Sequence, residues 1–289
     1  MILSYKFRLY PKKEQEERLL ETLELCRQVY NHFLAQWKEK DKVPSRLELQ
    51  GQIPKLKMEK PELNNVYSKV LQMVLHRLYS NLKALSRLKK NGKVGRLRFK
   101  SKGRYKSFIY NQSGFKLIKT GKRLDILHLS KIGDIPIRVH RAVEGEIKQV
   151  IIKRYNSGKW FACICVEKEI CVAQRKSERV VGIDVGVKHF LTDSDGRQIE
   201  NPKFYEKTLE KIRVAQHWLS RKKKGSKNYE RQRVKLAKLY EKLTNQRDDF
   251  LHKLSKFYVS NYDVICVEDL SIGNMVRNHN LAQKILDVS

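Results

Sequence analysis

Residues 5–9 (YKFRL) alternate apolar and basic side chains. A period of two is typical of a half-buried strand. After Pro11 the apolar spacing changes to three and four residues, which predicts a long helix with one buried face. That face consists of Leu19, Leu23, Cys26, Tyr30, Phe33 and Trp37.

A second helical face follows a polar stretch that contains Pro44, Pro54 and Pro61. The prolines indicate a connecting segment between two long helices. The basic run RLKKNGK (87–93) is expected to end the second helix at a glycine. The face of this helix consists of Val66, Val70, Met73, Leu78, Leu82 and Leu85.

From about Gly95 to Glu169 the pattern changes to short strands with polar or glycine-containing breaks. The segments are SFIY, FKLI, DILHL, IPIRVH, KQVIIKRY and WFACICVE. Such spacing predicts antiparallel hairpins that form a small barrel or sheet. One strand, two helices and then more strands therefore predict a helical insertion within a β domain.

The segment VVGIDVGVKHFLTDSDGRQIE (180–200) predicts a strand, a tight turn, a second strand, an Asp-Gly turn and a third strand. Two helical stretches follow and flank the exposed loop RKKKGSKN (221–228). The second stretch has an apolar stripe that includes Arg247. This arginine either extends past the helix edge to solvent or faces a phosphate groove. The stripe consists of Leu236, Tyr240, Leu243, Arg247, Phe250, Leu254 and Phe257.

The net charge of the chain limits the classes of partner that it is expected to bind. The 62 Lys and Arg against 31 Asp and Glu give a net charge of +31. Such a field attracts polyanions, chiefly nucleic acid, with an anionic membrane surface as the alternative. No apolar run approaches the ~20 residues that span a bilayer, and the N-terminus has no signal-peptide pattern. Nucleic acid is favoured over membrane, and a cytoplasmic, nucleoid-associated protein is expected.

Two apolar strands end in acids. Asp184 ends the first strand of 180–200, and the strand Val264–Val267 is followed by Glu268 and Asp269. We expect both strands to be buried and their carboxylates to converge on Mg²⁺ or Mn²⁺, whose charge offsets their repulsion. Two such metals can stabilise the attacking and leaving oxygens of a phosphodiester. GIDVG also resembles a phosphate loop of actin-type ATPases, but no second glycine-rich phosphate loop follows an apolar strand.

Cations and rings alternate in the segment RLRFKSKGRYKSFIY (96–110). Cations for phosphates and rings for base stacking suit nucleic acid. The alternative is that half of the rings are core and the lysines are only solvated. The predicted contacts are Arg96, Arg98, Phe99, Lys100, Lys102, Arg104, Tyr105 and Lys106, with Lys222, Lys223, Lys224 and Arg247 in the second half of the chain.

Six blocks in order resemble the TnpB family, the transposon-encoded relatives of type V CRISPR effector nucleases. They are YKFRLYPKKEQ, SKVLQMVLHRLYSNLKAL, RFKSKGRYKSFIY, VVGIDVGVKHF, DFLHKLS and ICVEDLSIGNMVRNHNLA. The resemblance implies an α+β chain: a wedge-like β-barrel (1–10 plus 92–172), a helical recognition insertion (11–91) and a ribonuclease-H-like, RuvC-type domain (178–289). It also implies a guide RNA from the transposon end, double-stranded target DNA, and Asp184 and Glu268 as the first two catalytic carboxylates.

The family pattern continues beyond this sequence with a zinc ribbon and a third catalytic aspartate. None of the five cysteines here forms a CxxC pair, so the zinc ligands are missing. Asp287 is the only later acid, and we do not assign it the third role, since it falls within a helix that begins near Asn280. The chain is therefore interpreted as a C-terminally truncated member with little or no cleavage of its own. Its VICVE strand is expected to be an exposed apolar edge.

Three functional hypotheses follow. The first is a truncated RNA-guided nuclease that binds Mg²⁺ or Mn²⁺ weakly, if at all. The second is a nuclease-dead RNA-guided DNA-binding repressor. The third is a transposase that catalyses DNA strand transfer, which ranks last because it needs a complete acid triad.

Overall fold

The computed structural model describes residues 1–39, 44–92, 95–169, 179–278 and 282–288, and the side chains of 38, 39 and 288 are left out of the description. The chain divides into two compact units, Met1–Ile170 and Cys171–Ser289. The predicted boundaries at 172 and 178 lie outside the described residues. No helix in the described part of the chain is long and apolar enough to cross a membrane.

The first unit contains one seven-stranded antiparallel sheet in the order β2-β6-β7-β1-β5-β4-β3. Each strand predicted between residues 95 and 169 is present. The strands are β1 (Ile2–Leu9), β2 (Ser107–Asn111), β3 (Phe115–Ile118), β4 (Asp125–Leu129), β5 (Gly133–Arg138), β6 (Glu146–Arg154) and β7 (Trp160–Glu167).

This sheet curls into a nearly closed barrel. Its two outer strands, β2 and β3, are consecutive along the chain, and the link 112–114 can span at most about 14 Å. The hydroxyl of Tyr110 in β2 also donates to the carbonyl of Ser130, the residue after β4, at 2.7 Å, so this outer strand reaches the β3–β4 end of the sheet. Gly114 has φ +83°, and a Cβ there would overlap the ring of Tyr67. The prediction of a chain of mixed helices and strands with a barrel-like sheet is confirmed.

Helices occupy the connection between β1 and β2. The apolar stripe predicted on the first helix is buried along its whole length. The proline-containing stretch, predicted as a connection, contains short helices instead. Pro54 and Pro61 each lie in a first turn, where proline costs no hydrogen bond. The elements are α1 (Lys13–Glu39), α2 (Arg46–Gly51), α3 (Ile53–Glu59), a 3-10 helix (Pro61–Asn65) and α4 (Ser68–Lys90).

The second unit has a four-stranded sheet in the order β10-β9-β8-β11, in which β11 lies parallel to β8. The described core cluster of this unit contains Val181, Phe190, Leu191 and Tyr258. The elements are β8 (Val180–Asp184), β9 (His189–Asp193), β10 (Gln198–Glu200), α5 (Phe204–Ser220), α6 (Lys227–Asn261), β11 (Val264–Val267), α7 (Ile272–Met275) and α8 (Ala282–Val288).

The strand β11 is an exposed apolar edge of the described sheet, as predicted for the VICVE segment. Val264 is 49% exposed and Val267 is 67% exposed. The prediction that both acid-bearing strands are buried was therefore wrong for β11. Only Ile265 of this strand packs against the apolar cluster, because β11 has a described neighbour on one side only.

Candidate acid pair and nucleic-acid interface

Asp184 and Glu268 come together at one edge of the second sheet. Because β8 and β11 run parallel and Ile183 pairs with Val267, the two acids occupy the next position of the same register. Parallel strands present their carboxyl ends at the same edge of a sheet. Asp184 and Glu268 are 84 residues apart in the sequence, and they therefore lie at the ends of neighbouring strands.

Both carboxylates are exposed, whereas the sequence suggested burial of Asp184. Asp184 is the last residue of β8 and lies outside the apolar cluster around Val181. Both acids therefore face water.

A third acid, Asp193, has a positioning role that the sequence did not indicate. Its side chain is buried, accepts a hydrogen bond from the hydroxyl of Tyr258 at 2.8 Å, and accepts another from the amide of Arg197 at 2.8 Å. Burial opposes its charge, but these hydrogen bonds together hold the pKa of Asp193 below its usual value. Asp193 pairs with Ile183, so this contact ties the strand that ends in Asp184 to α6.

The donor set at the acid pair fits one hard cation. Mg²⁺ is held in proteins by one or two carboxylates and keeps several waters. Within residues 1–39, 44–92, 95–169, 179–278 and 282–288, no group of three or more His, Cys, Asp or Glu side chains could hold a metal ion. Asp184 and Glu268 thus suit a single Mg²⁺ or Mn²⁺, while the predicted paired-metal arrangement has too few ligands among the described residues.

The basic segment 96–106 lies against the first unit without regular secondary structure. Most of the predicted contacts in this segment are exposed. The ring of Phe99 is 49% exposed. Lys100 and Lys106 are half-buried. The exposed cations are Arg96, Arg98, Lys102 and Arg104.

Side chains of α1 fix this segment in place. The amide of Lys100 donates to Oδ1 of Asn31 at 2.8 Å, and Nδ2 of Asn31 donates to the carbonyl of Lys100 at 2.9 Å. Nη1 of Arg27 donates to the same carbonyl at 2.9 Å. The hydrogen bond from Arg27 also holds the pKa of Glu24 below its ordinary value. The contacts of Asn31 and Arg27 with this segment were not predicted from the sequence. The only signal for Asn31 was that it is a polar residue beside the buried stripe of α1.

Tyr105 does not belong to the exposed set. Its side chain is 6% exposed and its ring contacts the ring of Tyr30 at a centroid distance of 6.2 Å. Burial raises the pKa of its hydroxyl above the usual range. The expectation that its ring stacks on a base does not fit this position, because the ring is part of the core.

The remaining predicted cations are separated within the second unit. Lys222, Lys223 and Lys224 lie in the turn between α5 and α6, and Nζ of Lys222 lies 5.6 Å from the ring centroid of Trp218. Arg247 lies 20 residues into α6, about 30 Å along the helix from its start. Its guanidinium forms an ion pair with Asp287 of α8, so part of its charge is already compensated.

Comparison with known proteins bears on this geometry. Residues 163–279 match a family model described as "Probable transposase" and residues 1–42 match one described as "Helix-turn-helix domain". The protein "Putative RNA-guided DNA endonuclease InsQ" of Escherichia coli (strain K12) is 31% identical over 284 residues, which are 95% of this chain and 68% of the relative. The chain belongs to the TnpB family.

Further relatives of this TnpB protein agree. A "Putative RNA-guided DNA endonuclease" of Streptomyces pristinaespiralis is 30% identical over 301 residues, covering 99% of the chain and 71% of the relative. In the solved "Cryo-EM structure of the Cas12f1-sgRNA-target DNA complex", one chain is similar in fold, with a TM-score of 0.50 at 11% identity, covering 100% of this chain and 86% of that one. In the TnpB protein, the part of 1–42 that the structure describes is strand β1 followed by the single helix α1.

Proposed function

We propose that this TnpB protein is an RNA-guided DNA-binding protein whose acid pair serves metal-dependent cleavage of DNA. The observation that supports this most is the meeting of Asp184 and Glu268 at the ends of neighbouring parallel strands, in a family whose relatives are named as RNA-guided DNA endonucleases. The net charge of +31 supports nucleic acid as the partner.

The second unit is proposed to be a ribonuclease-H-like, RuvC-type domain. Its order β10-β9-β8-β11, with an antiparallel hairpin followed by two helices and a parallel strand, supports this assignment. Fold alone does not imply function, so the proposal depends on the acids as well.

Asp184 and Glu268 would hold Mg²⁺ or Mn²⁺ between their carboxylates. When bound, such an ion supplies a Lewis acid at the phosphodiester and activates water near neutral pH. The hydrogen bond between Asp193 and Tyr258 joins β9 to α6. Because β9 pairs with β8, it also holds the strand that ends in Asp184. The segment 96–106, fixed by Asn31 and Arg27, would orient phosphates of the guide RNA or target DNA.

We further propose that these 289 residues by themselves bind guided DNA well and cleave it slowly. The support is that the described residues bring two acids together and no third. Two carboxylates hold one cation, whereas the paired-metal arrangement for phosphodiester cleavage needs further ligands. The lack of a third acid beside the pair among the described residues therefore supports guided binding with little cutting, which is close to the activity of a repressor.

Cleavage is tested with the 289-residue chain, Mg²⁺, a guide RNA and matched double-stranded DNA. We expect stable, guide-dependent DNA binding, with cutting that is slow in the wild type and slower still in the Asp184→Asn variant. Robust cutting that is lost in Asp184→Asn would overturn the slow-cleavage proposal and leave the acid assignment standing. Robust cutting that persists in both Asp184→Asn and Glu268→Gln would overturn the acid assignment.

Nucleic-acid binding is tested by RNA co-purification and by titration with guide RNA. The variant Arg98→Gln/Arg104→Gln removes two exposed cations of segment 96–106. The matched control Lys119→Gln/Arg123→Gln removes two exposed cations elsewhere in the same unit. Removing a cation that binds a phosphate is expected to reduce the slope of log K against log salt by roughly 0.7–0.9. Equal effects in the two variants would exclude the segment as a specific contact.

A further inference from the structure

The outer face of the barrel carries a group of aromatic rings and cations. None of them belongs to the predicted nucleic-acid contacts. Three neighbouring strands contribute one row: Arg8 of β1 pairs with Phe161 of β7, which pairs with Lys153 of β6. Residues paired across an antiparallel sheet point to the same face. Phe161 is therefore flanked by a cation on each side.

This row points away from the barrel core. The alternate residues of the same strands are fully buried, among them Phe7, Trp160 and Ile152. Because successive side chains of a strand point to opposite faces, the row faces solvent. Lys6 and Lys153 are exposed, and Tyr10 is 41% exposed.

Two half-buried rings of this group contact each other edge to face. Tyr155 and Phe161 have ring centroids 4.7 Å apart at an interplanar angle of 60°. Nζ of Lys6 lies 5.6 Å from the first centroid and 5.5 Å from the second. Nζ of Lys153 lies 5.1 Å from the Tyr155 centroid.

Tyr10 extends the surface at its other end. The guanidinium carbon of Arg8 lies 5.2 Å from the ring centroid of Phe161 and 5.5 Å from that of Tyr10. One arginine thus lies between two rings, so the cations and rings alternate across the three strands.

We propose that this ring face, defined as Lys6, Arg8, Tyr10, Lys153, Tyr155 and Phe161, binds an unpaired stretch of RNA by stacking bases on its rings. Aromatic side chains on a sheet surface, with cations beside them, suit splayed bases and their phosphates. The two lysine side chains lie over the rings here and are flexible enough to move onto a phosphate when a base takes their place.

Charge supports nucleic acid as the occupant. In the described part of the chain, neither Lys6 nor Lys153 forms an ion pair with an acid. An unpaired base offers an apolar surface to the rings, and its phosphate offers the charge that these lysines lack. A duplex offers its phosphates but keeps its base faces stacked inside.

The choice of RNA rests on the proposed function. A guided protein holds its RNA before any DNA strand is opened, so a permanent site for unpaired bases suits the guide. The ring face belongs wholly to the barrel unit, whereas the acid pair belongs to the other unit. It can therefore be changed without altering the residues proposed for cleavage.

Ring-removing and ring-keeping variants of the full chain test the proposal. Binding of a labelled 12-nucleotide oligouridine is measured by fluorescence anisotropy for Tyr155→Leu, Phe161→Leu and the controls Tyr155→Phe and Phe161→Tyr. Each leucine variant is expected to weaken binding roughly 5- to 100-fold, as for loss of one stacked base, and the ring-keeping variants by less than twofold. Leucine variants that bind like the wild type, or Tyr155→Phe as weak as Tyr155→Leu, would overturn it.

Two further measurements keep the test independent of folding and of the guide itself. Ultraviolet cross-linking of the wild-type chain to the same RNA should give nucleotide adducts on Tyr155 or Phe161, and adducts confined to other residues would overturn the proposal. Lys6→Gln/Lys153→Gln, two surface changes, should lower the salt slope by roughly 0.7 per lysine. Matched oligothymidine DNA and a duplex serve as competitors, and equal competition by either would overturn the assignment to unpaired RNA.

Failure of the ring face is distinguishable from failure of the proposed function. If the wild-type chain binds guide RNA and matched DNA while the leucine variants are unaffected, only the ring face is excluded. If the wild-type chain binds no RNA, both proposals are excluded.

Discussion

The two units differ in where their side chains are placed. In the barrel unit, the core runs continuously from the strands into α1 and α4, with Phe7, Phe33 and Leu75 all fully buried. In the second unit, the described cluster is small, and apolar side chains such as Val264 and Val267 remain exposed on the strand that precedes Glu268. The acids thus lie on the unit with the smaller described apolar cluster.

This difference shows how support and chemistry are divided in the chain. The barrel holds two candidate nucleic-acid surfaces, segment 96–106 and the ring face, on a packed scaffold. The second unit holds its acids at strand ends and depends on a few polar anchors such as Asp193. Surface substitutions on a unit with a large apolar core are expected to change its stability little. In a unit with a small core, each buried polar contact contributes a larger share of the stability.

The largest expected effect is in the barrel core. Phe7→Ala removes a fully buried ring and should lower the free energy of unfolding of the first unit by about 3–5 kcal/mol. Hydrogen exchange followed by mass spectrometry, read on peptides of each unit, checks this. The control Ile2→Ala, at a side chain 71% exposed in the same strand, should change little. An equal loss of protection in the second unit would show that the two units do not unfold separately.

The next effect is at the anchor of the second unit. Tyr258→Phe removes the hydroxyl that donates to buried Asp193 and should lower the free energy of unfolding by about 1.5–3 kcal/mol, as for a hydrogen bond to a charged group. The loss should appear in peptides of β9 and α6. Tyr240→Phe, whose side chain is 39% exposed, is the control. Equal effects in the two variants would show that the Asp193 contact is not an anchor.

Acid pH should separate the anchor from the rest of the second unit. The pKa of Asp193 is lowered from the reference value of 3.8, so its charged form is stabilised by folding. This contribution is present above about pH 4 and is lost as the pH falls through the folded-state pKa. The free energy of unfolding, measured with urea, should therefore fall more for the wild type than for Asp193→Asn as the pH drops below 3.8. Parallel pH profiles would contradict this.

The smallest effect is on the surface of α6. Lys253 and Asp249 form an ion pair, and their side chains are 75% and 65% exposed. Lys253→Gln should therefore change the free energy of unfolding by at most about 0.3–0.5 kcal/mol, and less in 1 M salt. A loss as large as that of Tyr258→Phe would mean that surface charge, rather than the buried anchor, holds this unit together.

Much of the fold could be predicted because local patterns report local structure. The period-two segments became strands and the stripe from Leu19 to Trp37 became the buried face of α1. The short helix α3 and the 3-10 helix after it were not recognised, since Pro54 and Pro61 resemble breaks until they are placed in first turns. The domain limits and the roles of the predicted contacts stay predictions.

The candidate site was only half visible in the sequence. Asp184 and Glu268 could be paired from their strand ends, but their exposure could not, because exposure depends on what packs beside β11. Tyr105 was predicted to be a stacking ring and is a core residue, while Phe161 lies in a predicted strand whose outer face the sequence did not identify. Neighbouring positions in a strand point to opposite faces, so only the sheet decides which is outside.

The sequence by itself determined the family of this protein, its basic charge, its element order and its acids. These follow from residue type and spacing along one chain. Only the tertiary structure decided that Lys6, Lys153 and Phe161 share a face and that Asp193 anchors the Asp184 strand. The contact between Lys6 and Phe161 joins residues 155 positions apart, and the pairing of strands, which sets it, is not encoded in any local pattern.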